Sequence, residues 1–127
     1  MQGLPNKDGY LVWKGTDLDE ICNSPIINEM FEKYPKTMET MWKLMLDNYK
    51  VFAEKQSDYG PENIAMGGND RLALLGITIR GNDKIQRILN LLDNKKEPKN
   101  ESITDSFMDL ANYCYMAAIL MSGKWGK

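Results

Sequence analysis

The segment "RLALLGITIRGNDKIQRILNLLD", Arg71 to Asp93, decides whether this chain is all-helical or mixed. The β-branched run Ile77 to Ile79 favours a strand. The apolar spacing favours a helix. Two sets of residues recur at the helical period on opposite faces: Leu72, Leu75, Gly76 and Ile79 on one, and Ile77, Ile85, Ile88 and Leu92 on the other. We therefore predict one long helix, kinked near Gly81.

The rest of the chain carries two more long helical patterns and one short one. An apolar stripe begins after Pro35 and stops near Gln56, with members Met38, Met41, Trp42, Met45, Leu46, Tyr49, Phe52 and Ala53. Ser102 with Asp105 resembles a capping box and starts the last helix, unless it begins a turn earlier at Asn100; Gly123 ends it. A shorter helix runs from Pro25 to about Lys33. The sequence thus predicts an all-α fold, a helical bundle of three long helices plus one or two short ones.

By length the chain is a single folded domain. We expect residues 1–34 to form an irregular N-terminal arm and the short helix, and residues 35–127 to form the helical domain that carries the site. Tyr10 to Trp13 fits an arm or one short edge strand, because no second strand is evident.

Composition excludes several classes of function. The net charge of −2 and the lack of a basic run argue against a nucleic-acid polymer as partner. The chain has no histidine, which removes Ser-His-Asp catalysis and imidazole-bound zinc. The longest apolar stretch is too short to span a membrane. Cys22 and Cys114 are expected to be reduced thiols of a cytoplasmic protein without a signal peptide, with Cys114 in the core.

Two polar stripes suggest a site. One lies on the second long helix and comprises Arg80, Asp83, Arg87, Asn90 and Asn94, with Lys84 beside them. The other comprises Glu101, Asp105, Asp109 and Asn112 on the last helix. Each stripe shares its face with an apolar half that we expect to be buried, which is typical of a polar cavity inside a bundle. The alternative interpretation is that both stripes are ordinary helix faces exposed to solvent. Glu54 and Asp58, four residues apart, add a third acidic element.

These residue types fit a nucleotide. Clustered carboxylates bind Mg²⁺, which bridges to phosphates. Arg80, Lys84 and Arg87 are suited to the phosphates themselves. A metal-bound water, with a carboxylate as base, could attack a phosphoanhydride. Candidates for the base or sugar are Asn63, Asn90 and Asn112, and candidates for stacking are Tyr59 and Trp42, although the apolar stripe favours a core position for Trp42.

Three motifs resemble the type-1 nucleotide-modification-associated domain family, found largely in bacteriophages and bacteria. They are "KQSDYGPENI" (Lys55 to Ile64), "GITIRGNDKIQRILNLL" (Gly76 to Leu92) and "NESITDSFMDLANY" (Asn100 to Tyr113). The resemblance covers about residues 52–121. More remotely, the chain is similar to MazG-like all-α nucleoside triphosphate pyrophosphatases, in which a four-helix bundle, usually dimeric or tetrameric, binds Mg²⁺ through carboxylates on two helices. Their Glu-x-x-Glu and Glu-x-x-Asp spacings differ from the four-residue spacing of this chain, although both spacings place residues on one helix face.

The resemblance implies Mg²⁺- or Mn²⁺-dependent hydrolysis of a deoxynucleoside triphosphate, ordinary or modified, in a homodimer or homotetramer within a bacterium or phage-infected bacterium. The implied metal ligands are Glu54, Asp58, Glu101, Asp105 and Asp109, and the implied catalytic residues are Glu54, Asp58 and Asp105. The implied substrate-binding residues are Lys55, Tyr59, Asn63, Arg80, Asp83, Lys84, Arg87, Asn90, Asn112 and Tyr113. Two alternatives remain: a non-catalytic protein that binds a nucleotide or cyclic-nucleotide signal, as a phage sponge does, and a helical oligomerisation domain whose ion pairs fix subunit register.

Overall fold

The computed structural model describes residues 20–127, and within that range the secondary structure is helical with no strand. The elements are α1 (Pro25–Lys33), α2 (Pro35–Tyr59), α3 (Glu62–Ala65), a 3₁₀ turn (Met66–Gly68), α4 (Asp70–Asp93) and α5 (Ile103–Met121). The all-α prediction is confirmed. The strand suggested for Tyr10 to Trp13 lies outside the described residues. No helix between residues 20 and 127 is long and apolar enough to cross a membrane.

Side-chain caps set the starts of three helices. Ser24 accepts a hydrogen bond from the Ile27 amide, ahead of Pro25 in the first helical position. The Asn69 carboxamide oxygen accepts from the Leu72 amide at 3.0 Å, and the Ser102 hydroxyl accepts from the Asp105 amide at 3.0 Å. Each cap satisfies an amide that has no partner inside its helix. The predicted start at Ser102 is therefore confirmed, and the alternative at Asn100 is wrong.

The connection between α2 and α4 contains helical structure of its own. Helix α2 continues past Gln56 and ends at Tyr59, and the next residue, Gly60, has a φ of +71° that is readily available to glycine. Residues 62–68 form α3 and the 3₁₀ turn. Burial of Ile64, which is 6% exposed, explains this order, because an apolar anchor holds a segment that polar residues alone would leave open.

The chain divides into two compact units, Met1–Leu46 and Asp47–Lys127. The boundary between the units falls inside α2. Of the first unit, the structure describes Glu20–Leu46, which contains an apolar pocket lined by residues that include Phe31 and Trp42. All the site residues singled out above belong to the second unit, apart from Trp42.

The core of the second unit lies where α4 and α5 pack on α3. Its buried members are Ile64, Ala73, Ile77, Met116 and Leu120. Helices α4 and α5 run antiparallel, since Gly81 lies opposite Leu110 while Arg87 meets Ser106. A Cβ on Gly81 would lie 3.4 Å from the Leu110 side chain, at the edge of ordinary van der Waals contact, so the two helices lie close together at this point. The segment from Arg71 to Asp93 is therefore one helix, and Gly76 and Gly81 lie inside it.

One of the two predicted apolar faces of α4 is buried only in part, and the second is exposed. On the first face Ile77 and Ile88 are buried, but Ile85 and Leu92 are 42% and 54% exposed. On the second face Leu72, Leu75 and Ile79 are 47%, 49% and 61% exposed. The expectation that this second face is buried is therefore wrong within the chain. On α5 the corresponding expectation holds, because Met116 is 6% exposed and Ile119 is half-buried. Cys114, expected in the core, is an exposed thiol, and Cys22 is half-buried; neither forms a disulfide.

The C-terminal residues hold the turn between α2 and α3. The Trp125 indole nitrogen donates to the Pro61 carbonyl oxygen at 3.0 Å. The same ring meets Phe52 edge to face, with ring centroids 6.1 Å apart. Phe52 and Trp125 both pack against the core. One tryptophan thus ties α2, the turn at Pro61 and the chain end together.

We predict that Ile77→Ala lowers the free energy of unfolding by about 2–5 kcal/mol, because Ile77 is only 4% exposed and its truncation leaves a cavity in the core. Ile77→Val removes one methyl group and should cost about 0.5–1.5 kcal/mol. Urea denaturation followed by helical circular dichroism measures both. Equal losses for the two variants would contradict the placement of Ile77 in the core.

Candidate functional site

The centre of the site is an ion pair shared by three side chains. The Lys84 ammonium on α4 donates to Glu101 Oε1 at 2.7 Å and to Asp109 Oδ2 at 2.8 Å. The Lys84 side chain is 20% exposed and that of Asp109 is 24% exposed. Sheltered from most of the solvent, these contacts are screened less than a surface ion pair. Lys84 therefore ties α4 both to the body of α5 and to the loop that precedes it.

Arg87 extends this network one turn along α4. Its guanidinium donates to the Ser106 hydroxyl at 2.6 Å and to the Glu101 carbonyl oxygen. Ser106 is fully buried, and its hydroxyl in turn donates to Glu101 Oε1 at 2.7 Å. The Glu101 carboxylate thereby accepts from both Lys84 and Ser106, while Arg87 Nη1 lies 3.9 Å from its Oε1 atom. The carboxylate of Glu101 is held in one orientation by several donors at once.

The network shifts two pKa values in opposite directions. Burial by itself would lower the pKa of Lys84, but the hydrogen bonds to Asp109 and Glu101 outweigh it and raise the pKa above 10.5. The hydrogen bond from Lys84 is the main cause that lowers the pKa of Glu101 below 4.5, followed by the one from Ser106. Both groups are charged across the neutral range.

Beside this network lies a cleft of about 340 Å³. Seven predicted site residues line it: Lys55, Tyr59, Asn63, Arg80, Asp109, Asn112 and Tyr113. The volume falls within the range of small-molecule sites. The lining combines two cations, two phenol rings and several amides, which is a suitable set for a flat, polar, negatively charged molecule. Asp109 belongs to both the cleft and the ion-pair network.

A pair of buried asparagines fixes one wall of the cleft. The Asn48 amide donates to the Met108 carbonyl oxygen at 3.0 Å, and the Asn112 amide donates to the Asn48 carbonyl oxygen at 3.3 Å. The two side chains are 8% and 7% exposed. Each joins α2 to α5 through a backbone acceptor, so that Lys55 and Tyr59, further along α2, face Asp109 and Tyr113 on α5. Lys55 lies 3.8 Å from Asp109.

The remaining predicted site residues lie outside the cleft and the network. Glu54 is an exposed partner of Lys50 at 3.9 Å, Asn90 accepts from the Asn94 amide at 2.8 Å, and Asp58, Asp83 and Asp105 are exposed. None of these five lines the cleft. The three residues implied as catalytic (Glu54, Asp58 and Asp105) are thus not brought to it.

The implied metal ligands do not form a cage within the chain. Between residues 20 and 127, no three acidic or cysteine side chains lie together in a group that could hold a metal ion. The two implied ligands that do converge, Glu101 and Asp109, converge on Lys84. A divalent ion and an ammonium group would repel each other there. The donor set described does not fit a resident magnesium or manganese ion.

The sequence reasoning missed several residues of the site. Gln56, Gly60, Ile64 and Met116 line the cleft, Ser106 joins the network, and Asn48 fixes the wall. Ser106 carries a recognisable signal, because it is a small polar residue four positions after the cap Ser102 on the helix face that meets α4. Asn48 carries a weaker signal, because an amide beside an apolar stripe is usually exposed to solvent.

The fold and site define an all-α protein with a cationic, tyrosine-lined cleft beside an interhelical ion-pair network. Residues 74–121 match the family model described as Nucleotide modification associated domain 1. The match covers most of α4 and all of α5, and with them Arg80, Lys84, Arg87, Glu101, Asp109 and Asn112. No curated protein and no solved structure matches the chain.

We predict that the network makes stability fall at both extremes of pH. The lowered pKa of Glu101 contributes stability that is complete above 4.5 and is lost as pH falls through the lower folded-state value. The raised pKa of Lys84 contributes stability that is complete below 10.5 and is lost as pH rises through the higher folded-state value. The denaturant midpoint, measured from pH 3 to pH 11, should therefore fall on an acid limb and on an alkaline limb of the profile.

Glu101→Gln should flatten the acid limb of that profile. Glu39→Gln is the matched control, because Glu39 forms a surface pair with Lys43 in which both side chains are mostly exposed. The control should leave the limb unchanged. Equal flattening by both variants would refute the assignment to Glu101.

Proposed function

We propose that the protein binds a nucleotide in the cleft between α2, α4 and α5, in the manner of a binding protein. One observation carries the proposal: the charged groups of the cleft are unbalanced in favour of cations. Lys55 and Arg80 face it together with a single carboxylate, Asp109, which Lys84 already neutralises at 2.8 Å. Within residues 20–127 Arg80 has no ion-pair partner. In a chain with a net charge of −2, this is a local site for an anion.

The other lining residues supply what a nucleoside needs. Tyr59 and Tyr113 offer ring faces on which a base can stack. Gln56 and Asn63 carry both donors and acceptors that can pair with base edges or sugar hydroxyls. The match to a domain described as associated with nucleotide modification supports the same ligand class. A ligand that carried phosphate alone would leave the phenols and amides without a role.

Binding is favoured over hydrolysis because of where the carboxylates lie. The residues suited to activate a water, Glu54, Asp58 and Asp105, do not line the cleft, and Asp109 is engaged by Lys84. A general base must come within hydrogen-bond reach of the water it activates. Pyrophosphohydrolysis, with the more distant MazG-like similarity, is therefore the second candidate and is decided by the same experiment.

We predict that Arg80→Gln weakens nucleotide binding by about tenfold, since it removes one charge-assisted contact to phosphate from a partly exposed site. Isothermal titration with a panel of nucleoside mono-, di- and triphosphates measures the affinity. Arg71→Gln is the matched control: Arg71 is exposed on the same helix and does not line the cleft. An equal effect of both substitutions would argue for nonspecific attraction.

Chromatography of the same samples separates the two candidates. A binding protein returns each nucleotide intact after denaturation, with or without Mg²⁺. Release of pyrophosphate that depends on Mg²⁺ and is lost in Asp105→Asn would instead establish the hydrolase. A panel in which no nucleotide binds or reacts would refute both.

We further propose that two copies associate through the exposed apolar stripe of α4, formed by Leu72, Leu75 and Ile79. These residues recur at helical spacing on one face and are each about half exposed or more. A continuous apolar stripe of this kind is typical of a covered surface.

We predict that the wild type sediments as a dimer and that Ile79→Lys weakens self-association by about tenfold or more, because it places a charge within the apolar contact. Thr104→Lys, at an exposed position on α5, is the control and should not change it. Sedimentation equilibrium over a range of concentrations makes the comparison. A wild type that is monomeric at every concentration would contradict the proposal.

A further inference from the structure

The position of the Lys84 ammonium has a chemical consequence for the site. Its nitrogen lies 2.7 Å from Glu101 Oε1 and 2.8 Å from Asp109 Oδ2, so both carboxylates point at one cation. One carboxylate belongs to the loop before α5 and the other to the second turn of that helix. Two convergent carboxylates from different backbone segments are the arrangement that also holds Mg²⁺ or Mn²⁺ in proteins.

Charge balance shows that a metal is not needed. Glu101 and Asp109 supply two negative charges, while Lys55, Lys84 and Arg87 supply three positive ones, and each of the five lies within 3.9 Å of a partner. The two carboxylates are therefore already neutralised. A divalent ion added to the cluster would face three cations at close range, and that repulsion grows as solvent is excluded.

We propose that Lys84 is a built-in counter-ion that occupies the place of a divalent metal between Glu101 and Asp109, so that the cleft takes a phosphate-bearing ligand without metal. The role of Lys84 follows from the geometry alone, and the metal-free binding of the ligand rests on the proposed function. Phosphate neutralisation falls to Lys55 and Arg80, which line the cleft, while Lys84 holds Asp109 in place in the same cleft.

The lysine also explains how the cleft tolerates a carboxylate near an anion. An unpaired Asp109 would repel phosphate across a cleft of only about 340 Å³. Paired with Lys84, it acts as a neutral wall that can accept a hydrogen bond from a sugar hydroxyl or base amine. Lys84 is therefore a positioning residue, which acts on the ligand through Asp109.

Manganese binding tests the proposal directly. Mn²⁺ is titrated into wild type, Lys84→Met and Lys43→Met, and free Mn²⁺ is followed by electron paramagnetic resonance. Lys84→Met frees two convergent carboxylates and should bind Mn²⁺ about tenfold or more tightly than wild type. Lys43→Met, which breaks a surface pair of 3.7 Å with the same change of charge, should not. A wild type that binds Mn²⁺ as tightly as Lys84→Met would overturn the proposal.

A second measurement needs no variant and so does not depend on whether Lys84→Met folds. Mn²⁺ at one equivalent should leave the amide resonances of residues 105–113 in the wild type unbroadened. Selective broadening around Asp109 would show that a metal enters between the carboxylates and would overturn the proposal.

The ligand arm uses the nucleotide panel with the wild type in EDTA and in Mg²⁺. Equal affinity in both buffers supports the proposal. Binding that requires Mg²⁺ overturns it while leaving nucleotide binding itself established. If no nucleotide binds in either buffer, the proposed function fails, and the manganese measurements still decide the role of Lys84.

Discussion

The shared hydrogen bonds of Lys84 with Glu101 and Asp109 are the interaction on which the site depends. They connect the middle of α4 to two points on the partner helix and its preceding loop. The apolar contacts of the core, around Ala73, Ile77 and Met116, hold α4 and α5 together but are not directional. The ion pair fixes the register of the two helices, because it sets which turn of α4 faces Asp109. The register in turn determines which side chains line the cleft.

The other wall of the cleft is set by hydrogen bonds that reach backbone atoms. Asn48 and Asn112 link α2 to α5, and Trp125 links the chain end to the Pro61 carbonyl beyond the end of α2. All three use a side-chain N–H to reach a backbone carbonyl oxygen on a neighbouring element. The positions of Lys55 and Tyr59 follow, because α2 is tied on both sides of them.

The sequence predicts the helices well and the site partly, for identifiable reasons. Caps at Ser24, Asn69 and Ser102 are local events, and local chemistry predicts them. Burial is not local: the spacing places Leu72 and Ile79 on one apolar face but cannot say whether that face meets its own chain or solvent. Among the cleft residues, Asn63 is recognisable as an amide suited to a base or sugar, and Lys55 only through the family resemblance. Gln56 and Met116 are recognisable only once α2 and α5 are seen side by side.

The regular carboxylate spacing on α5 shows where a helical projection fails. Glu101, Asp105 and Asp109 are four residues apart, which places all three on one face if all three are helical. Helix α5 begins only at Ile103, after the extended cap Ser102, so Glu101 belongs to the loop and the projection does not apply to it. From the loop it reaches Lys84 beside Asp109, while Asp105 within the first turn stays exposed. The cap that starts the helix therefore also separates Glu101, which pairs with Lys84, from Asp105, which is solvated. Two carboxylates, Glu101 and Asp109, share one lysine where the spacing suggested three metal ligands.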